Sequence, residues 1–183
     1  MFVVKSTLVL ALALPLGAVA ALAQAFPDER ATVEFQRAAD RYAFMHRQVE
    51  RRLGFAHRRA GIEIDTIDRD QLAGWIRTMR PDASPGELFT PSAAAAISGR
   101  IVRAWRNGCD IGELQSGIWQ VLRVNGPATL TRALDPCVVA ALPALPPELE
   151  YRSAAGVLVL VDTHADLVVD VLPGPVVITE IRR

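Results

Sequence analysis

The sequence predicts an α+β protein, with a mostly helical body of about four helices and a small antiparallel β-hairpin at the C-terminus. Apolar residues recur at spacings of three and four along residues 28–53, which is the period of one helix face. Near the C-terminus, three short β-rich segments at 149–152, 157–161 and 167–172 have the pattern of a hairpin or small meander.

The first two predicted helices have clear ends. The first carries the apolar stripe of residues 28–53 and ends at Gly54, because glycine favours the conformation that follows a helix C-terminus. The second begins at Asp68, which has the capping-box spacing to Gln71, and it ends before Pro81, because proline does not continue a helix.

Two further helices and a short one are predicted after a turn-rich loop. Thr90 is an N-cap followed by proline, and the helix that begins there ends at Asn107. A capping box predicts the next helix over 110–121, and a short helix follows over 136–142. Phe89 is expected to pack against the third helix as a hydrophobic staple, and the alternative is that its loop binds a ligand.

The chain is predicted to begin with a cleaved signal peptide. Lys5 precedes a long apolar run, and small residues mark a cleavage site near Ala25, so the mature protein is expected in the periplasm or outside the cell. The predicted segments are a signal peptide at 1–25, a helical body at 26–142, a proline-rich connector at 143–150 and a β-hairpin at 151–183. The hairpin is expected to pack on the helical body, so that they form one mature domain.

The two cysteines, Cys109 and Cys137, predict a disulfide bond. An even number of cysteines in an exported chain favours pairing, because the compartments outside the cytoplasm are oxidising. The alternative is a redox-active or nucleophilic thiol, but neither a CxxC motif nor a neighbouring histidine accompanies these residues.

Common catalytic motifs are missing from the sequence. It contains no G-x-S-x-G, H-E-x-x-H or G-x-G-x-x-G motif and no phosphate-binding Walker loop. The formal net charge is zero, and no nucleic-acid partner is expected. The protein is therefore expected to be non-enzymatic, although a hydrolase site assembled in space would leave no local motif.

The segment DTHAD supports two interpretations. On a continuous strand, Asp162, His164 and Asp166 would share one face and bind one divalent metal ion, with a fourth ligand from His46, His57 or another acid. The apolar flanks favour the alternative, in which its last four residues form a hairpin turn and the three side chains diverge. His46 is interpreted as a packing residue beside the apolar stripe of the first helix.

The run from His46 to Arg59 is a second candidate site, because it is rich in arginine. It would bind anionic lipid headgroups or another polyanion at the envelope surface through Arg47, Arg51, Arg52, Arg58 and Arg59. The alternative is a solvated helix end, whose cations interact favourably with the negative end of the helix dipole.

Three segments resemble a family of uncharacterised bacterial exported proteins: RPDASPGELFTP at 80–91, VNGP at 124–127, and LPALPPELEYR with LVLVDTHADLVVDVLP at 142–173. This resemblance implies export, a helical N-terminal part, a proline-rich link and a terminal β-hairpin, but no activity and no functional residues. More locally, YRSAAGVLVLVDTHADLVV is similar to the C-terminal hairpin of small periplasmic nickel/cobalt-homeostasis proteins, a similarity that does not extend to ligands.

The sequence therefore predicts an exported, non-enzymatic protein that binds a partner protein or the envelope surface. The alternative is a periplasmic metal-binding or metal-homeostasis protein that holds a divalent metal through Asp162, His164 and Asp166.

Overall fold

The computed structural model describes residues 16–54, 66–114 and 122–172, with side chains from residue 28 onward. Within these ranges the chain forms helices and one antiparallel sheet, so the predicted α+β class is confirmed. The helices are α1 (Leu16–Arg52), α2 (Thr66–Met79), α3 (Pro91–Arg106) and α4 (Pro136–Ala141), and the strands are β1 (Arg132–Ala133), β2 (Leu149–Ala154), β3 (Val157–Asp162) and β4 (Leu167–Val171).

Helix α1 is the longest element. Its 37 residues correspond to about 55 Å at the helical rise per residue. It begins at Leu16 and so crosses the predicted cleavage position near Ala25, and the signal peptide stays a prediction. The helix ends where expected, with Gly54 at a φ of 76°. None of the described helices combines the length and apolar character needed to cross a bilayer.

Side-chain caps define the starts of α3 and α4. Thr90 Oγ1 accepts a hydrogen bond from the backbone N–H of Ala93 at 3.4 Å, and Asp135 Oδ1 accepts one from Cys137 N at 2.7 Å. The helix predicted over 110–121 is a 3₁₀ turn at Gly112–Leu114 in its described part, and residues 115–121 lie outside the described ranges.

The sheet is a meander in which each strand pairs with its neighbour in the chain, in the order β1-β2-β3-β4. Strands β2, β3 and β4 correspond to the three predicted segments. The sheet adds only the two-residue strand β1, which is too short for a sequence pattern to reveal. Residues 163–166 form the turn between β3 and β4, so the hairpin interpretation of this segment is confirmed.

Strand β3 is buried on both faces, and the alternation of its side chains determines what each one contacts. Val157, Val159 and Val161 belong to one apolar cluster on the sheet. Leu158 and Leu160 belong to the main core, which the sheet shares with the helices. Asp162 continues the face of Leu158 and Leu160, and therefore lies against α1.

Aromatic rings connect the helices to the sheet in the main core. The Phe35 ring of α1 stacks on Phe89, with ring centroids 5.4 Å apart, and on Tyr151 of β2 at 6.2 Å. Phe89 is fully buried, and its stacked ring contact is with α1. Stacking of this kind contributes about 0.5–1.5 kcal/mol per pair beyond the burial of area. The expected staple of Phe89 against the third helix stays a prediction.

The predicted disulfide between Cys109 and Cys137 is confirmed. It joins the segment after α3 to the first turn of α4, with a Cα–Cα distance of 5.6 Å and a sequence separation of 28 residues. Closing a loop of this length stabilises the folded state by about 3–4 kcal/mol in the chain-entropy model. The bond fits an oxidising compartment outside the cytoplasm.

Candidate metal centre

Two parts of the chain that are far apart in sequence meet at the C-terminal end of α1. His46 and Glu50 lie one helical turn apart on α1, so their side chains share one face of the helix. Asp162 ends β3, and His164 lies in the turn that follows. The meander places this turn against α1 and so brings the four side chains together.

The three side chains of His46, Glu50 and His164 converge on one point. Glu50 Oε1 lies 3.0 Å from His46 Nε2 and 2.9 Å from His164 Nδ1. One potential ligand atom from each residue lies within 4.8 Å of the other two. The two imidazole rings meet edge to face, with centroids 5.2 Å apart. We call these three residues the His–Glu–His cluster.

Exposure increases across the cluster from the core to the surface. The His46 side chain is fully buried, that of Glu50 is 17% exposed and that of His164 is 38% exposed. The cluster therefore has a buried floor and an open side, through which a small ion can enter from solvent.

The Nε2 atom of His46 is a buried polar atom without a hydrogen-bond partner among the described residues. It lies 3.0 Å from Glu50 Oε1, but the direction of approach does not satisfy hydrogen-bond geometry. The nitrogen therefore keeps only an ion-pair contact with Glu50, and a buried polar atom without a well-aligned hydrogen bond calls for an explanation. A metal ion bound at Nε2 is one explanation, because neutral imidazole is a common metal ligand.

Asp162 fixes the opposite side of the His46 ring. Its Oδ2 lies 2.6 Å from His46 Nδ1 and accepts a hydrogen bond from Tyr42 Oη at 2.7 Å. Its Oδ1 accepts hydrogen bonds from the backbone N–H groups of His164 and Ala165 at 3.0 and 2.9 Å. Both oxygens of this fully buried carboxylate are therefore engaged.

The charges of the metal-free cluster favour bound protons. Burial alone would lower the pKa of His46, but the carboxylates of Asp162 and Glu50 outweigh it and raise the pKa to about 9. The hydrogen bond to Glu50 raises the pKa of His164. Hydrogen bonding to His164 and His46 lowers the pKa of Glu50 to about 2. A metal ion must therefore displace protons from the imidazoles, so metal affinity rises with pH.

The distances suit a first-row transition metal. With metal–ligand bonds of about 2.0–2.1 Å, neighbouring ligands of a tetrahedral zinc ion lie about 3.3 Å apart. The two Glu50 contacts, at 2.9 and 3.0 Å, need to open by only a few tenths of an ångström to match this spacing, and one ligand atom of each histidine lies within 4.8 Å of the other. Two imidazoles and one carboxylate suit Zn²⁺, Ni²⁺ or Cu²⁺ rather than Ca²⁺ or Mg²⁺, which prefer oxygen ligands.

The structure arranges the residues of the DTHAD segment differently from the continuous-strand interpretation. His164 belongs to the His–Glu–His cluster. Asp162 lies outside the cluster and contacts the Nδ1 atom of His46 and the backbone N–H of His164. Asp166 is not part of the group, and its backbone carbonyl accepts a hydrogen bond from Ala128 N at 2.9 Å. The turn thus separates the three side chains.

The arginine-rich candidate site is only partly within the described residues. Arg47 makes an ion pair of 2.7 Å with Glu148, whose side chain is 7% exposed. Arg51 and Arg52 are exposed in the last turn of α1, and Arg58 and Arg59 lie outside the described ranges. The binding of an anionic surface by these arginines stays a prediction.

Sequence reasoning did not identify the pairing of His46 with Glu50. It interpreted His46 mainly as a packing residue and named it only as a possible fourth ligand. In the structure it is fully buried, and both of its ring nitrogens face carboxylates. The available signal was the spacing of four residues between His46 and Glu50 on a predicted helix, which places an imidazole and a carboxylate side by side.

Comparison of the chain with protein-family models, with curated proteins and with solved structures finds no match. The family resemblances of segments of the chain therefore stay predictions.

Proposed function

We propose that this protein is an exported metal-binding protein that holds one divalent transition-metal ion at His46, Glu50 and His164. The observation that carries the proposal is the buried Nε2 atom of His46, which has no well-aligned hydrogen bond among the described residues and lies 3.0 Å from Glu50 Oε1. Two further ligands at 2.9–3.0 Å spacing and an open side towards solvent support it.

Three protein ligands leave one tetrahedral position of the metal free. Structural zinc sites are closed by four protein ligands, whereas sites that exchange a ligand keep one position for water or another small molecule. The exposed side of the cluster, at His164, is where that position lies. Binding and release of the ion is the function that this arrangement supports, in an oxidising compartment that the disulfide fits.

Titration of the metal-free protein with Zn²⁺ and Ni²⁺ tests the proposal. We expect one ion per chain in the wild type, and a loss of affinity of more than about 100-fold in Glu50→Gln, because removing a ligand should cost more than removing an outer partner. Asp166→Asn is the matched control in the same segment, since Asn also tolerates its φ of 50°. It should bind metal as the wild type does.

The opposite pattern would end the proposal. If the metal-free wild type takes up neither ion, the cluster is a network of protonated histidines that only stabilises the fold. If Asp166→Asn loses the metal and Glu50→Gln keeps it, the ligands are those of the DTHAD segment instead.

A further inference from the structure

We infer that Asp162 is the positioning residue of this metal centre, and that its one carboxylate orients both histidine ligands. This inference rests on the proposed function. Asp162 does not itself belong to the three-ligand group, and it is fully buried. Its four hydrogen-bonding contacts divide evenly, with two to side chains of α1 and two to the turn that carries His164.

The contacts to α1 determine which nitrogen of His46 is free. Because Asp162 Oδ2 accepts at 2.6 Å from Nδ1, the proton of the neutral ring is held on Nδ1 and the lone pair is on Nε2. Nε2 is the nitrogen that faces Glu50. A carboxylate on the far nitrogen of a metal-bound histidine also makes that histidine a stronger ligand.

The contacts to the turn determine where His164 lies. Asp162 Oδ1 accepts from the N–H groups of His164 and Ala165 and so holds the first residues of the turn against the end of β3. This fixes the backbone of His164, so its Nδ1 lies 2.9 Å from Glu50. Asp162 thereby sets the separation of two ligands that come from different elements.

Tyr42 completes the arrangement from the side of the core. The Tyr42 hydroxyl donates a hydrogen bond of 2.7 Å to Asp162 Oδ2, the oxygen that also accepts from His46 Nδ1. The Arg80 guanidinium lies over the Tyr42 ring, 5.2 Å from the centroid, and helps to hold the ring in place. The orientation of Asp162 is therefore itself fixed by a second residue of α1.

The test combines Asp162→Asn with metal titration and with a probe of the His46 ring. We expect Asp162→Asn to weaken Zn²⁺ and Co²⁺ binding about 10- to 100-fold, as the loss of outer partners does in other metal sites, and to change the visible spectrum of the Co²⁺ form. In the metal-free wild type, ¹⁵N NMR should place the proton of the neutral His46 ring on Nδ1.

A stability control separates positioning from folding. Val159→Ala removes buried methyl groups from the apolar cluster that does not include the metal-binding face, and it should destabilise the fold without changing the Co²⁺ spectrum. If Asp162→Asn does not fold, Tyr42→Phe is the substitute variant. It should also weaken metal binding, by a smaller factor.

The outcomes distinguish the two claims. If the wild type binds metal and Asp162→Asn binds it equally well with the same Co²⁺ spectrum, the positioning role is overturned and the proposed function stands. A proton on Nε2 in the neutral ring, or equal weakening in Val159→Ala, also overturns it. If the wild type binds no metal, the proposed function fails, and the positioning role fails with it.

Discussion

Replacing His46 with alanine is expected to lower the free energy of unfolding of the metal-free protein by about 3–5 kcal/mol and to abolish metal binding. His46 and Asp162 are both fully buried and lie 2.6 Å apart. Without the imidazole, the Asp162 carboxylate is left buried without its cationic partner, which is more costly than the loss of the pair as a whole. Urea denaturation together with Zn²⁺ titration measures both effects.

The matched control is His164→Ala, because the two histidines belong to the same proposed metal centre but differ in burial. The His164 side chain is 38% exposed, so its ion pair with Glu50 contributes less than about 1 kcal/mol to stability. We expect His164→Ala to lose the metal and to keep most of the stability. Equal stability losses for the two variants would show that the burial of the His46–Asp162 pair does not cause the loss of stability in His46→Ala.

The stability effect of His46 should also depend on pH. The folded-state pKa of His46 is raised from 6.5 to about 9. A group whose pKa is raised on folding stabilises the protein fully below its unfolded pKa and loses this contribution as the pH rises through the folded value. The difference in stability between wild type and His46→Ala should therefore be largest below about pH 6.5 and shrink towards pH 9 and above.

Replacing Asp170 with alanine is the second substitution with a large expected effect, a loss of about 4 kcal/mol or more. Asp170 is a fully buried residue of β4, and its two oxygens accept hydrogen bonds from four backbone N–H groups at 2.6–2.8 Å. These belong to Gly86, Leu88, Phe89 and Val171. Alanine would remove the acceptor of three buried N–H groups and of the partly buried N–H of Gly86, at about 1–3 kcal/mol for each buried group before relaxation.

Asp170→Asn separates charge from shape. Its single carbonyl oxygen replaces only one of the two acceptors, and its amide group turns donors towards the remaining N–H groups, so a loss of about 2 kcal/mol is expected. Urea denaturation measures the stability. Hydrogen exchange at Leu88 and Phe89 shows whether the loop before α3 has detached from β4. Unchanged protection of these amides in Asp170→Ala would contradict this role.

The parts of the fold that were predictable from the sequence are those that local chemistry determines. The stripe of α1, the Thr90 cap and the turn at 163–166 each depend on residues a few positions apart. A two-residue strand such as β1 carries no usable period, and it was missed. The loop before α3 was predicted as a turn, but Asp170, which holds it, lies 82 residues from Leu88.

The candidate site was predictable only in part, for the same reason. His164 was named as a candidate metal ligand from its own segment, and His46 and Glu50 are neighbours on a helix. The contacts that unite them span 114 residues between Glu50 and His164 and 116 between His46 and Asp162. These pairs become neighbours only because the meander packs against α1, and this packing cannot be predicted from the periodicity of the sequence.

Anomalous diffraction from crystals soaked in Zn²⁺ tests the central claim most directly. We expect one strong peak per chain, about 2.0–2.2 Å from His46 Nε2, a Glu50 carboxylate oxygen and His164 Nδ1, with Asp162 still bonded to the far side of the His46 ring. A peak coordinated by Asp162 or Asp166 instead, or the absence of any zinc peak at the His–Glu–His cluster, would contradict it.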